Sequence, residues 1–385
     1  MTDVHAPQST TPSGTGPSGT GPSGIEPSGT AAPGTAPAGT AGAAPSATAT
    51  LGRGDVADPV PASPHHPWVT AAGLVLVLTA AIATIFVAFS LPAVTSEPHD
   101  VPIGIAGPAP AVEGVRQALA AAQPGAFDAT TYPDADALRE AVLDREAYGG
   151  FVLAPDGATV VVASGAGPAV AQLLTGVGGA LAEQSGTPVT TQDVVPLPDG
   201  DPRGAGLAAA ALPITLGSML PAIALVRLFP RRPWLRVAAA GAYALTAGTT
   251  LAAVLDAGYG STSGDFWPVA LGLSLGIAAI ALTLLGLESL AGTPGFAVGA
   301  ALVMLVGNPL SGMTSAPELL APPWGALGQL LPPGASGTLL RSTAYFDGAG
   351  AAAPATVLAA WVACGLLLCA VASVVRRRPA ADAPH

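Results

Sequence analysis

The chain has 385 residues, 50% of them hydrophobic and only 10% charged, with a net charge of −11 and a mean hydropathy of +0.55. Soluble domains carry about 25% charged residues, so the composition excludes an ordinary soluble protein and implies a polytopic membrane protein. All 13 basic residues are arginine, and the lack of lysine excludes a Walker A phosphate loop in this chain.

Residues 1–64 are rich in Pro, Gly, Ser, Thr and Ala, and "PSGTG" recurs with a period of five from Pro12. Collagen requires a period of three. The composition instead predicts a disordered tail. A signal peptide is not expected, because the first apolar run starts at Trp68 and is too long for an h-region.

Residues 68–91 carry no charge and can cross about 30 Å of hydrocarbon as a helix. Residues 206–229, 235–255, 266–287 and 356–375 qualify in the same way. Residues 296–306 are short, and a sixth span requires the helix to continue to about Met313. The order is one span, a long gap, then five. Arg227, Arg231, Arg232 and Arg236 crowd the loop after the second span, Arg376, Arg377 and Arg378 follow the last, and the loop 256–265 has none. The positive-inside rule then puts both termini in the cytoplasm and the gap outside the plasma (inner) membrane, with 376–385 as a short cytoplasmic tail.

The gap, 97–203, reads as a small α/β domain. "VPIGIAG" from Val101, "AFDATTY" from Ala126, "YGGFVLA" from Tyr148, "ATVVVAS" from Ala158 and "VTTQDVVPL" from Val189 have strand character. Helices are expected from Ala111, from an aspartate cap at Asp134, and over 168–184. Pro155-Asp156-Gly157 signals a hairpin. This segment holds 14 acidic side chains against four arginines, a net −10. A solvated acidic surface accounts for that charge; a cation-binding role is the sharper alternative.

No catalytic or metal-binding set emerges. Cys364 and Cys369 lie five apart in one apolar run, on different faces, and fit core packing rather than a disulfide. "GLSLG" at Gly272–Gly276 matches a nucleophile elbow, but it lies within an apolar helix and all five histidines lie outside the spans. Small residues at Gly272 and Gly276, and again at Gly295 and Gly299, fit close helix packing. No H-E-x-x-H, C-x-x-C or metal-spaced cluster is present, so no catalytic residue, cofactor or metal is expected. Arg227, Asp256 and Glu288 lie near span ends, where they can reach the interface. Pro213 and Pro221, eight apart in the second span, should kink it on roughly one side, as bundle geometry or as a gate.

The stretch from Val306 to Gly337 is apolar yet holds six prolines: Pro309, Pro317, Pro322, Pro323, Pro332 and Pro333. It cannot be a clean span, because each proline removes a backbone donor. With one span, an α/β domain and then five spans, the order of parts resembles the ABC-2 type transporter permeases, in particular the YhgE/Pip (phage infection protein) branch. The resemblance covers residues 68–378, and "GNPLSG…PPWG…LPPGA…YFDG" is its most specific part. It implies a re-entrant and extracytoplasmic segment over 314–354 before the sixth span, with Asn308 and Pro309 leading into it and Trp324, Pro332 and Pro333 within it, and Trp324 suits an interfacial anchor. It further implies an ATPase-coupling loop at Arg227, Arg231, Arg232 and Arg236. The expected function is a permease-like subunit moving an amphiphile, drug or envelope component outward. It would work as a homo- or heterodimer in the bilayer beside a separate ABC ATPase, without covalent chemistry of its own. The alternative is an envelope receptor or scaffold whose outer domain binds a partner. Nucleic acid is not an expected partner.

Overall fold

The computed structural model describes residues 67–186 and 188–375. The 1–64 tail and the arginines at 376–378 lie outside the described residues. Helix α1 (Pro67–Val94) leads into a five-stranded sheet with β1 (Val101–Ala106), α2 (Ala109–Ala122), β2 (Phe127–Tyr132), α3 (Ala135–Leu143), β3 (Gly149–Ala154), β4 (Gly157–Val162), α4 (Pro168–Ser185) and β5 (Val189–Asp193). The strand order is β2-β1-β3-β4-β5. β1 pairs in parallel with β2 and β3, β4 returns antiparallel to β3, and β5 runs parallel to β4.

Alternation along β1 explains the layers. Val101, Ile103 and Ile105 face one side, under Val112 and Leu119 of α2 and Val170 and Leu174 of α4. Leu138 and Val142 of α3 cover the other side and belong to a core continuous with the membrane helices. A Cβ at Gly104 would stand 2.1 Å from Leu138 Cδ1, so only glycine lets α3 sit this close to β1. Asp134 caps α3, its Oδ1 accepting from the N–H groups of Asp136 (3.1 Å) and Ala137 (2.9 Å).

Five helical segments among the described residues are long and apolar enough to cross a membrane: Pro67–Pro92, Ala205–Leu228, Pro233–Gly258, Phe266–Gly307 and Ala352–Val375. They correspond to α1; α5 (Ala205–Ala209) with α6 (Ala211–Leu228); α7 (Pro233–Ala253) with a π-helical end; α8 (Phe266–Ala301) with a π-helical end; and, after α9 (Trp324–Gln329) and α10 (Pro332–Tyr345), α11 (Ala352–Val375). Side chains 67–87 of α1 are all exposed, which an apolar helix tolerates only in lipid. The first half of α8 is the opposite case, buried by α6, α7, α10 and α11. Its small residues set the approach: a Cβ at Gly286 would lie 2.6 Å from Gly365 O of α11.

The 42-residue Phe266–Gly307 segment is not one straight rod. Straight, Leu284 and Gly299 would be about 22 Å apart. A Cβ at Gly299 would instead lie 2.9 Å from Leu284 Cδ2 and 2.6 Å from Leu287 Cδ1. The chain reverses at Gly292, whose φ of 68° and ψ of −153° suit glycine alone. The second arm differs from the expected 296–313 helix. It leaves α geometry at Ala301, passes through a π-helical turn to Gly307 and a 3₁₀ turn at Pro309–Ser311, and ends there. Pro309 has no N–H to continue the ladder.

Asp201 opens the Ala205–Leu228 segment. Its Oδ1 accepts from Ala205 N (2.8 Å) and its Oδ2 from Gly206 N (2.7 Å). Burial alone would raise its pKa, but these two donors, the Ser261 hydroxyl and the charge of Arg203 together outweigh it and hold the carboxyl below its ordinary value. A pKa depressed by folding contributes stability that is full above the unfolded value, about 3.9, and is lost as pH falls through the folded value. Asp201→Asn should therefore lower the thermal midpoint at pH 7, by about 1 kcal/mol of stability, and the gap to wild type should close below about pH 4. A gap independent of pH would show that the charge of Asp201 contributes nothing.

Candidate functional site

The proline-broken stretch packs one side against protein, with Trp324, Leu327 and Leu330 exposed, and several of its polar groups are paired. Ser311 Oγ donates to Asn308 O (2.7 Å). Gln329 reaches both ways, its Nε2 donating to Ser311 O (3.1 Å) and its Oε1 accepting from Thr338 Oγ1 (2.6 Å). Trp361 of α11 donates its indole N–H to Leu330 O (2.8 Å) at the turn between α9 and α10. Pro332 and Pro333 open α10, where a missing N–H costs nothing and φ is already helical. Both are buried. Helix α10 runs antiparallel to the start of α8: Ser336 meets Gly276, Leu339 meets Gly272, and Ser263 N bonds Ala344 O. Its 14 residues make a rod of about 20 Å. Arg145 of the α/β domain bonds the carbonyl of Thr338, six residues into α10, so the α9–α10 turn lies about 9 Å beyond that contact, while Glu318, before α9, also touches that domain. The chain descends and returns.

Two cavities flank the C-terminal end of α1 and share Pro92, Pro309 and Leu320. One, of about 460 Å³, is lined by Ser96, Asn308, Ser311, Thr314 and Ser315 together with Phe89 and Leu212. Its neighbour, of about 370 Å³, is apolar, bounded by Val87, Leu91, Leu305, Val306, Leu310 and Trp324. No charged side chain lines either. Trp324 is half exposed beside α1, Pro309 lines both cavities and Asn308 lines the first. Adjacent cavities, one with hydroxyl and amide groups in its wall and one apolar, can hold an amphiphile by both parts.

The arginines after α6 do not act as one group. Arg227, Arg231 and Arg232 are exposed. Arg236 is buried, with Nε donating to Phe229 O (2.7 Å), Nη2 to Pro230 O (2.7 Å) and Nη1 to Glu288 Oε2 (2.5 Å). It clamps the 229–232 turn to α8. Glu288 is paired within the bundle, with a buried guanidinium 52 residues away. A cavity of about 340 Å³ lies beside this clamp, lined by Pro230, Arg231, Trp234, Ser289 and Cys369.

Pro213 lies in the first turn of α6, just after the break at Ala210, and Pro221 lies inside it. Pro221 supplies no N–H to Gly217 O, four residues back. Tyr243 of α7 supplies one instead, donating its hydroxyl to Gly217 O (2.8 Å). Nothing in the sequence marked Tyr243, Gln329 or Trp361, since each acts across a long sequence separation. Ser274 is buried and donates to Ala270 O (2.7 Å), in contact with Gly248, so the elbow-like motif serves packing. Among the described residues no cluster of three or more His, Cys, Asp or Glu is placed to hold a metal. No family model, curated protein or solved structure matches this chain.

The Arg236–Glu288 clamp makes a quantitative prediction. Removing either partner strands a buried charge, so Glu288→Gln or Arg236→Met should cost about 3–5 kcal/mol. Replacing both by Met should recover part of that loss, with the remainder due to the unbonded carbonyls of Phe229 and Pro230. Thermal midpoints of the four proteins in lipid nanodiscs decide it; single variants within about 0.5 kcal/mol of wild type would show that the pair carries no load.

Proposed function

We propose that this protein is a permease-like membrane subunit that moves an amphiphile outward through the cleft at the end of α1. The observation that carries the reading is the pair of adjacent cavities, one with hydroxyl and amide groups in its wall and one apolar, uncharged and bounded by the proline-broken segment. In this reading the two arms of α8 each cross the bilayer and the chain crosses six times. The α/β domain is then outside, the α9–α10 hairpin is re-entrant, and the turn bearing Arg231 and Arg232 is cytoplasmic. That turn is held rigidly by Arg236, and a rigid projection transmits a partner's motion with little loss to bending. A separate ATPase would dock there and shift the protein between two arrangements. The resemblance to ABC-2 permeases supports this reading through its layout, and the plasma membrane is the setting it requires.

A receptor or scaffold role is the second reading, favoured by one observation. An apolar groove of about 430 Å³ lies between α2 and α4, lined by Leu119, Phe127, Leu173, Val177 and Leu181. A partner could engage it without any transport.

The two readings separate in reconstituted vesicles containing the protein and its co-purifying ATPase, loaded with a fluorescent amphiphile. Transport predicts ATP-dependent flux that Thr314→Trp, filling the first cavity, lowers at least about tenfold, or ~1.4 kcal/mol. Arg231→Lys/Arg232→Lys should insert normally yet lose ATPase co-purification, because lysine cannot form bidentate pairs with carboxylates. If no ATPase co-purifies and no flux is seen, the receptor reading replaces transport.

A further inference from the structure

The turn between α6 and α7 leaves a positive charge unpaired beside a cavity. That cavity has a volume of about 340 Å³, and ligand clefts run from about 300 to 1,000 Å³. Its walls come from three elements at one end of the bundle. Arg231, Trp234 and Arg236 belong to the turn and the start of α7, Ser289 to α8 just before its reversal at Gly292, and Cys369 and Ser373 to the end of α11.

The lining includes two guanidinium groups and no carboxylate. Glu288 cancels the charge of Arg236 through their ion pair. Arg231 is exposed and has no ion pair among the described residues, where the pairs are Arg139–Asp136 and Arg236–Glu288. The balance at the cavity is therefore positive. Arg227 and Arg232, also exposed, flank Arg231 in the chain, and the sequence continues from α11 into Arg376, Arg377 and Arg378. No acidic residue of the turn opposes them: residues 226–237 hold none.

This charge selects an anion, and the surroundings select its source. Trp234, in the cavity wall, is 51% exposed, and Leu228, Val374 and Val375, at the ends of α6 and α11, are exposed too. Apolar side chains at the ends of spans lie where hydrocarbon meets headgroups, the level that tryptophan favours. A soluble anion would use the arginine alone, whereas a phospholipid would also cover this apolar rim. We infer that the cavity binds the phosphate headgroup of an anionic lipid, with Arg231 as the main ligand. Arginine suits the task because its planar fork pairs with phosphate oxygens. The headgroup then bridges the turn, α8 and α11. The site requires a membrane setting but neither transport nor an ATPase.

The test uses the full chain, without any ATPase, in maltoside detergent, which contains no phosphate. Salt is held at about 0.15 M, where exposed charges more than about 8 Å apart are screened. Thermal unfolding is followed while short-chain phosphatidylglycerol, phosphatidylcholine of the same chain length, or inorganic phosphate is added. Phosphatidylglycerol should raise the midpoint saturably, and the other two should not. Arg231→Gln should weaken the apparent affinity at least about fivefold. Ser373→Phe keeps every charge but fills the cavity, and should weaken it at least about tenfold. Because Arg231 is exposed, Arg231→Gln keeps the test decisive if Ser373→Phe does not fold. No saturable rise specific to phosphatidylglycerol, an equal rise with inorganic phosphate, or a rise that either variant leaves unchanged would overturn the inference.

Discussion

Every backbone N–H and C=O placed in an apolar environment must find a partner within the protein, and the architecture follows from how this chain meets that demand. An unpaired group in hydrocarbon costs several kcal/mol, so simple spans are helices. Where prolines delete donors, the structure supplies replacements from neighbouring elements. Tyr243 serves the carbonyl that Pro221 leaves open, and Trp361 serves Leu330 at the α9–α10 turn. Gln329 ties the 3₁₀ turn at Pro309–Ser311 to α10. Irregular backbone is thereby packed on one side against α8, α11 and the π-helical end of α8, with Trp324, Leu327 and Leu330 exposed on the other. That is also where the cavities open, because a broken helix is the element that can bring hydroxyl and amide groups into a cavity wall in an apolar bundle.

Charge follows a related logic at the two ends of the bundle. At one end, Arg236 satisfies two loop carbonyls and one carboxylate and makes the 229–232 turn rigid. At the other, Arg145 and Tyr148 carry the α/β domain onto α10 and the Pro317–Leu319 turn. The first pairs a buried arginine with a carboxylate, whereas the second joins its elements through hydroxyl, carbonyl and carboxylate acceptors. The cleft at α1 lies close to the second, because Met313 lines the cleft and accepts the Arg341 hydrogen bond.

Much of this was legible in the residues. The period-two alternation of Val101, Ile103 and Ile105, the Asp134 cap and the Pro155-Asp156-Gly157 turn are local signals, and local physics decides them. The apolar runs mark the spans, since length and hydropathy suffice for a helix in lipid. The point where the fifth run stops being helical was not legible: apolarity continues past Gly307, and only the fold shows Pro333 packed against that glycine. Glu288 near a span end gave no sign of its partner, because Arg236 belongs to another helix. Arg145 gave no signal at all, for its left-handed backbone is imposed by α10, nearly two hundred residues later. The sequence separated elements well and partners poorly, as expected when elements arise from local periodicity and partners from the tertiary fold.

The central claim is that the segment between the second arm of α8 and α11 descends and returns without crossing. Thr314 precedes α9 and Asp347 follows α10; both are exposed. Single cysteines at these positions, in a background where Cys364 and Cys369 are replaced by Ala, should both react with a membrane-impermeant maleimide added to intact cells. A cysteine at Arg231 should react only after the membrane is opened. Labelling of Thr314 and Asp347 from opposite sides would contradict the account, because the stretch would then cross the membrane and the hairpin would not exist.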